Sequence, residues 1–142
     1  MECEVPMNNA PDTEIKSILE NSRNIAVVGL STNPEKDSHR VGVYLKENGY
    51  NVIPVHPKSD EIIGKKAFPS LKDIPEPVDV VCLFRPPEHV PPFVNDAIDI
   101  KAKVVWMQLG IVNNESGAKA AKAGLQVVMN KCMKIEHAKF IG

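Results

Sequence analysis

An apolar run that ends in glycine, followed by short polar side chains and then a basic residue at a predicted helix start, is a pattern suited to holding a phosphate. It occurs here from Gly29-Leu30-Ser31-Thr32-Asn33-Pro34 to Ser38-His39-Arg40. A helix start offers N–H groups without acceptors and about half a positive charge. Gly29 allows close backbone approach, Ser31 and Ser38 carry hydroxyl donors, and Arg40 carries a fork of donors that matches phosphate oxygens. The same residues have a plainer reading, in which Gly29 makes a tight turn and Asp37 or Ser38 caps a helix.

A second segment, Val55-His56-Pro57-Lys58, stands where dinucleotide folds place an acid for the ribose hydroxyls. No carboxylate occurs there until Asp60, and of the G-x-G-x-x-G fingerprint only Gly29 is present. Lys58 favours a nucleotide with phosphate on its ribose, and NADP and coenzyme A both meet that description. The P-loop pattern G-x-x-x-x-G-K-[ST] is absent. Two further loops, Phe84-Arg85-Pro86-Pro87 and Gln108-Leu109-Gly110, also follow apolar runs.

Residues suited to catalysis are sparse. Of the four histidines, His39 and His56 lie on the predicted ligand loops, where a hydrogen bond to ligand or backbone is the plainer role than a base. His89 sits in a proline-rich helix start. Cys132, Glu136 and His137 have metal-ligand chemistry but no fourth partner nearby, and one helical turn between Cys132 and Glu136 is explained by helix packing. Cys132 also follows the fifth strand on the ligand-bearing edge. It is read either as a buried structural cysteine or as a thiol able to form a mixed disulfide with a ligand thiol that is supplied as its disulfide. Trp106 and Phe84 are read as packing residues.

The net charge of -1 excludes broad attraction to nucleic acid or a membrane surface. Three widely spaced cysteines argue against a disulfide framework and a structural zinc site, and for a reducing cytoplasm. No apolar run approaches the ~20 residues needed to span a bilayer. The first 11 residues read as a frayed tail and residues 12–142 as one domain.

These loops need a frame. Helices are predicted over 13–21, capped by Asp12, then around Val41, Tyr44 and Leu45, and over 90–100, 115–123 and 132–140. Strands are predicted over 24–29, 50–55, 78–84, 104–107 and 125–129, with Pro54 placed near a strand end. Residues 57–77 read as irregular. Such alternation gives a Rossmann-like, doubly wound α/β fold with a parallel five-stranded sheet and helices on both faces. The expected strand order is 3-2-1-4-5, with the ligand where the order reverses, between strands 1 and 4.

The chain resembles the small single-domain coenzyme A-binding proteins, which are related to the nucleotide-binding domain of the succinyl-CoA synthetase α subunit. The resemblance rests on Val27-Val28-Gly29-Leu30-Ser31 with Asn33-Pro34, on Gly49-Tyr50 through Val55-His56-Pro57, and on Ser70-Leu71-Lys72-Asp73-Ile74-Pro75. It continues through Val104-Val105-Trp106-Met107-Gln108 and Ala123-Gly124-Leu125 to Cys132 and Glu136-His137. His56 departs from the asparagine that many relatives carry.

The resemblance implies that the Gly29-to-Asn33 loop and the Ser38-to-Arg40 helix start hold a pyrophosphate. Val55, Pro57 and Lys58 would flank adenine and ribose, with Lys58 near the 3′-phosphate. Phe84 and Arg85 would line the nucleotide side, and Gln108 and Gly110 the pantetheine arm. It implies a binding protein that is not an enzyme on its own, because the synthetase's phosphohistidine lies in a second domain without a counterpart here. The alternatives are an NADP-binding protein or reductase, and a subunit that completes an acyl-CoA synthetase with a partner. A homodimer is also compatible.

Overall fold

The computed structural model describes residues 5–7 and 9–142. In chain order the elements are α1 (Asp12–Asn21), β1 (Asn24–Val28), α2 (Asp37–Glu47) and β2 (Asn51–Val55). A two-stranded ribbon follows, β3 (Glu61–Ile62) and β4 (Lys65–Lys66), and then β5 (Val80–Leu83), α3 (Val90–Asp99) and β6 (Val104–Met107). The last three are α4 (Asn114–Lys122), β7 (Gln126–Val128) and α5 (Met133–Phe140).

Five parallel strands form the main sheet in the order β2-β1-β5-β6-β7. Their side chains alternate between two cores, as the period of two requires. Ile25, Val27, Val80, Cys82 and Trp106 face one layer, packed with Ile15 and Leu19 of α1, Leu45 of α2 and Met133 of α5. Ala26, Val28, Val81, Leu83 and Met107 face the other, packed with Val94 and Ala97 of α3 and Ala120 of α4. The Rossmann-like, doubly wound class is therefore as the sequence indicates.

The strand order is not. Counting the five long strands along the chain it is 2-1-3-4-5 rather than 3-2-1-4-5, and the reversal falls between β1 and β5. Two residues account for this. Pro54 lies in β2, where alternate residues face β1 and the outer edge. The N–H of Phe68 donates to the Pro54 carbonyl and the N–H of His56 donates to Phe68, each at 2.9 Å, so Pro54 presents its ring nitrogen outward. An inner position for β2 would waste a ladder bond there. Asp79, just before β5, accepts from the N–H groups of Arg23 and Asn24 at 2.9 and 2.8 Å, which seats β5 beside β1. All four residues of β5 are wholly buried, as a central strand demands.

Local details at two helix starts and near the N-terminus also differ from the sequence reading. Asp12 is the first residue of α1 rather than its cap, which is Pro11. Asn113 caps α4 by accepting from the N–H of Ser116 at 3.0 Å. Of the segment expected to fray, Met1–Glu4 and Asn8 lie outside the described residues. Asn9, however, exchanges two 2.8 Å bonds with the Met129 backbone, and the N–H of Ala10 reaches the Val127 carbonyl.

Candidate nucleotide-binding site

Two clefts open at the C-terminal ends of the strands. The first, of about 410 Å³, is bounded by residues 28–31 after β1 and 55–57 after β2, with Pro69, Arg85 and Phe93 closing it. The second, of about 380 Å³, lies between the start of α2 (Asp37, Arg40, Val41) and the start of α5 (Cys132, Lys134, Ile135), over Phe84, Gln108 and Leu109. Phe84 and Arg85 are consecutive yet line different clefts, so the end of β5 forms the ridge between them. The same Gly29-to-Val41 segment borders both.

Gly29 has φ +84°, and a Cβ there would lie 3.0 Å from the Phe84 carbonyl oxygen and 3.2 Å from the Arg85 side chain. Its glycine is therefore required by the neighbouring strand end as well as by the turn. Beyond it the polar side chains build the loop. The Ser38 hydroxyl, buried, accepts from the N–H of Ser31 at 2.9 Å. The Ser31 hydroxyl accepts from Asn33, and Asn33 Oδ1 from Glu35. His39 Nδ1 donates to the Ser31 carbonyl at 2.9 Å. The first turn of α2 keeps its N–H groups without intrahelical acceptors, and no side chain caps it. Arg40 makes a 3.7 Å ion pair with Asp37, both exposed, which holds it weakly. Arg85 is exposed on the ridge.

His56 Nδ1 accepts from the N–H groups of Lys58 and Ser59 at 3.0 and 3.1 Å. With Nδ1 accepting, the ring proton sits on Nε2, which is a donor. Gln108 is 2% exposed: Nε2 donates to Cys82 Sγ at 2.8 Å and Oε1 accepts from the N–H of Met133 at 3.1 Å. It borders the second cleft, but its amide is a bracket between strands and α5.

Of the residues picked from sequence, Gly29, Leu30, Ser31, Val55, His56, Pro57 and Arg85 line the first cleft. Arg40, Phe84 and Gln108 line the second. Asn33, Ser38, Lys58 and Gly110 line neither. Pro69, Phe93, Lys134 and Ile135 were not foreseen. Phe93 had a faint signal, an aromatic in the first turn of the helix after Arg85. Pro69 arrives only because Phe68 pairs with Val55.

His137 belongs elsewhere, in a groove at the opposite edge of the sheet with Arg23, Asn48 and Tyr50. Its Nδ1 bonds to the Tyr44 hydroxyl at 2.8 Å, and Tyr44 and Tyr50 meet its ring edge-on. Burial pushes its pKa down. Among the described residues no three His, Cys, Asp or Glu side chains gather as a metal site.

A parallel sheet with its reversal at an open helix start defines a doubly wound, Rossmann-like domain. More particularly, the chain belongs to the CoA binding domain family, whose model matches residues 23–138. It is 42% identical over 132 residues to the uncharacterized protein YneT of Bacillus subtilis, covering 93% of this chain and 98% of that one. It is 28% identical over 117 residues to acetate–CoA ligase (ADP-forming) II of Archaeoglobus fulgidus, covering 80% of this chain but only 17% of the ligase. A solved hypothetical protein from Pyrococcus horikoshii superposes with TM-score 0.92 at 44% identity, with 100% of both chains covered. Among the described residues no helix is long and apolar enough to cross a membrane.

Proposed function

We propose that the chain binds coenzyme A, or an acyl derivative of it, across both clefts, and does no chemistry on its own. The observation that carries this is the junction of two clefts at the uncapped start of α2, with Arg40 on one side and Arg85 on the other. The pyrophosphate sits at that junction, where helix N–H groups and two guanidinium groups favour an anion. The adenine enters the first cleft among Pro57, Pro69 and Phe93, with His56 Nε2–H as a donor to a ring nitrogen. Lys58, exposed beside this cleft, reaches the 3′-phosphate. The pantetheine arm follows Phe84 and Gln108 through the second cleft.

The non-catalytic reading follows from the same contacts. His56 Nδ1 is occupied by two backbone N–H groups and the Gln108 amide by Cys82 and Met133, so neither side chain is free to act as a base at the junction. A reducing compartment, the cytoplasm, suits the free thiols of Cys82 and Cys132. The match to a small part of a longer ligase supports a second reading, in which the chain serves as the coenzyme-holding part of a larger assembly.

A thermal-shift comparison of CoA, acetyl-CoA, NADP and NAD tests the binding. A ligand at a hundred times its Kd adds about 2.7 kcal/mol of stability. CoA and its thioester should raise the melting temperature and the nicotinamide nucleotides should not. A shift with NADP alone would give the site to the rival cofactor.

A further inference from the structure

Leu109 and Ile135 are large apolar side chains that the fold leaves in water, 64% and 55% exposed, and both line the second cleft. Neither exposure is a matter of a loose loop. The N–H of Ile111 donates to the Gln108 carbonyl at 2.9 Å, closing a turn with Leu109 and Gly110 at its centre. Gly110 takes φ +86° and its N–H donates to Asn130 Oδ1 at 2.7 Å. This is type II geometry, and it projects Leu109 from the crest. Ile135 stands on the first turn of α5, whose buried residues Met133, Glu136 and His137 lie on another face.

The cleft also carries charge. Asp37 and Arg40 stand at the end it shares with the start of α2, and Lys134 lines the α5 side beside Ile135, with its Nζ 5.5 Å from the Tyr44 ring centroid. Val41, almost wholly buried, and half-buried Phe84 continue the apolar wall inward toward Leu109 and Ile135. A ligand that matches has a charged head and an apolar tail, and free coenzyme, which ends in a bare thiol, would leave the rim wet.

We infer that the rim of Leu109 and Ile135, beyond the stretch of Phe84 and Gln108 that the pantetheine arm follows, is a subsite for the acyl chain of an acyl thioester. The inference rests on the coenzyme reading and names the form of the coenzyme that the site selects. Continuity with the α2 junction favours this occupant over a protein partner.

Calorimetric titration with CoA and with its acetyl, butyryl and hexanoyl thioesters tests it. Full burial of a methylene would tighten binding roughly fourfold, and an open rim should deliver about half that free energy, near twofold per methylene. Butyryl-CoA should then bind about fourfold more tightly than acetyl-CoA. The double variant L109S/I135S, made at two exposed positions, should flatten the series so that hexanoyl-CoA and CoA are held alike. Equal affinity of all four ligands for the unaltered protein overturns the acyl subsite and leaves the coenzyme reading standing. Failure of all four to bind overturns both. A flat series together with an oligomer that the double variant dissociates would assign the rim to protein contact and overturn the subsite.

Discussion

Gln108 Nε2 donates to Cys82 Sγ at 2.8 Å, a link across adjacent central strands that turns the glutamine away from the cleft it borders. Its other amide atom accepts from the N–H of Met133, the first residue of α5. One side chain thus ties β5, β6 and the last helix together and fixes where Cys132, Lys134 and Ile135 stand at the second cleft.

Replacing Gln108 with Leu removes both bonds and leaves the buried Met133 N–H unpaired. Such a loss costs about 1–3 kcal/mol. Urea unfolding should show a lower midpoint at an unchanged slope. A midpoint equal to that of the parent would show that the bracket is dispensable.

Cys82 is 0% exposed and burial pushes its thiol pKa far up, whereas Cys132 is half-buried at the cleft. Native protein treated with iodoacetamide should be modified at Cys132 and spared at Cys82 until denaturant is added. Saturating CoA should slow the Cys132 reaction. Peptide mass spectrometry reads both sites, and equal labelling of the two cysteines would contradict the burial.

Lys58→Ala should weaken CoA roughly tenfold and leave dephospho-CoA little changed, because it removes one charged bond to the 3′-phosphate. Arg40→Ala should weaken both ligands alike, since both contain the pyrophosphate. Paired titrations decide this, and equal losses for both ligands in the lysine variant would exclude Lys58 as the reader of that phosphate.

His137 gives the fold an acid-sensitive joint. Burial lowers its pKa below the ordinary 6.5, so the unfolded chain takes up the proton first. Its contribution is complete above pH 6.5 and is lost as the pH falls from there toward the depressed native value. Burial also opposes ionisation of Asp79, but N–H bonds from Asn24 and Arg23 and the charge of Lys103 outweigh it and hold its pKa below 3.8. The stability that Asp79 supplies is present above that value and is lost only at stronger acid. Urea midpoints between pH 7.5 and 5 should therefore fall in the parent and fall less in His137→Phe. Parallel pH profiles would remove His137 from the account.

The β3–β4 ribbon lay in a stretch read as irregular, but the sequence by itself determined the five long strands, the helices between them, the layered class and the loops that border the clefts. These follow from local facts: apolar runs buried on both faces, helical periodicity, and glycine or proline at the breaks. It also held an unread clue to strand order, since Pro54 fits an outer strand better than an inner one. Only the tertiary structure decided the order itself, because seating β5 beside β1 depends on Asp79 reaching Arg23 and Asn24, more than fifty positions earlier. It likewise decided which polar side chains serve the loop and which border the clefts. Ser38 bonds back to Ser31, and Gln108 to Cys82 and Met133, partners 7, 26 and 25 residues away. A residue type states which bonds a side chain can make; its neighbours in space decide which bonds it does make.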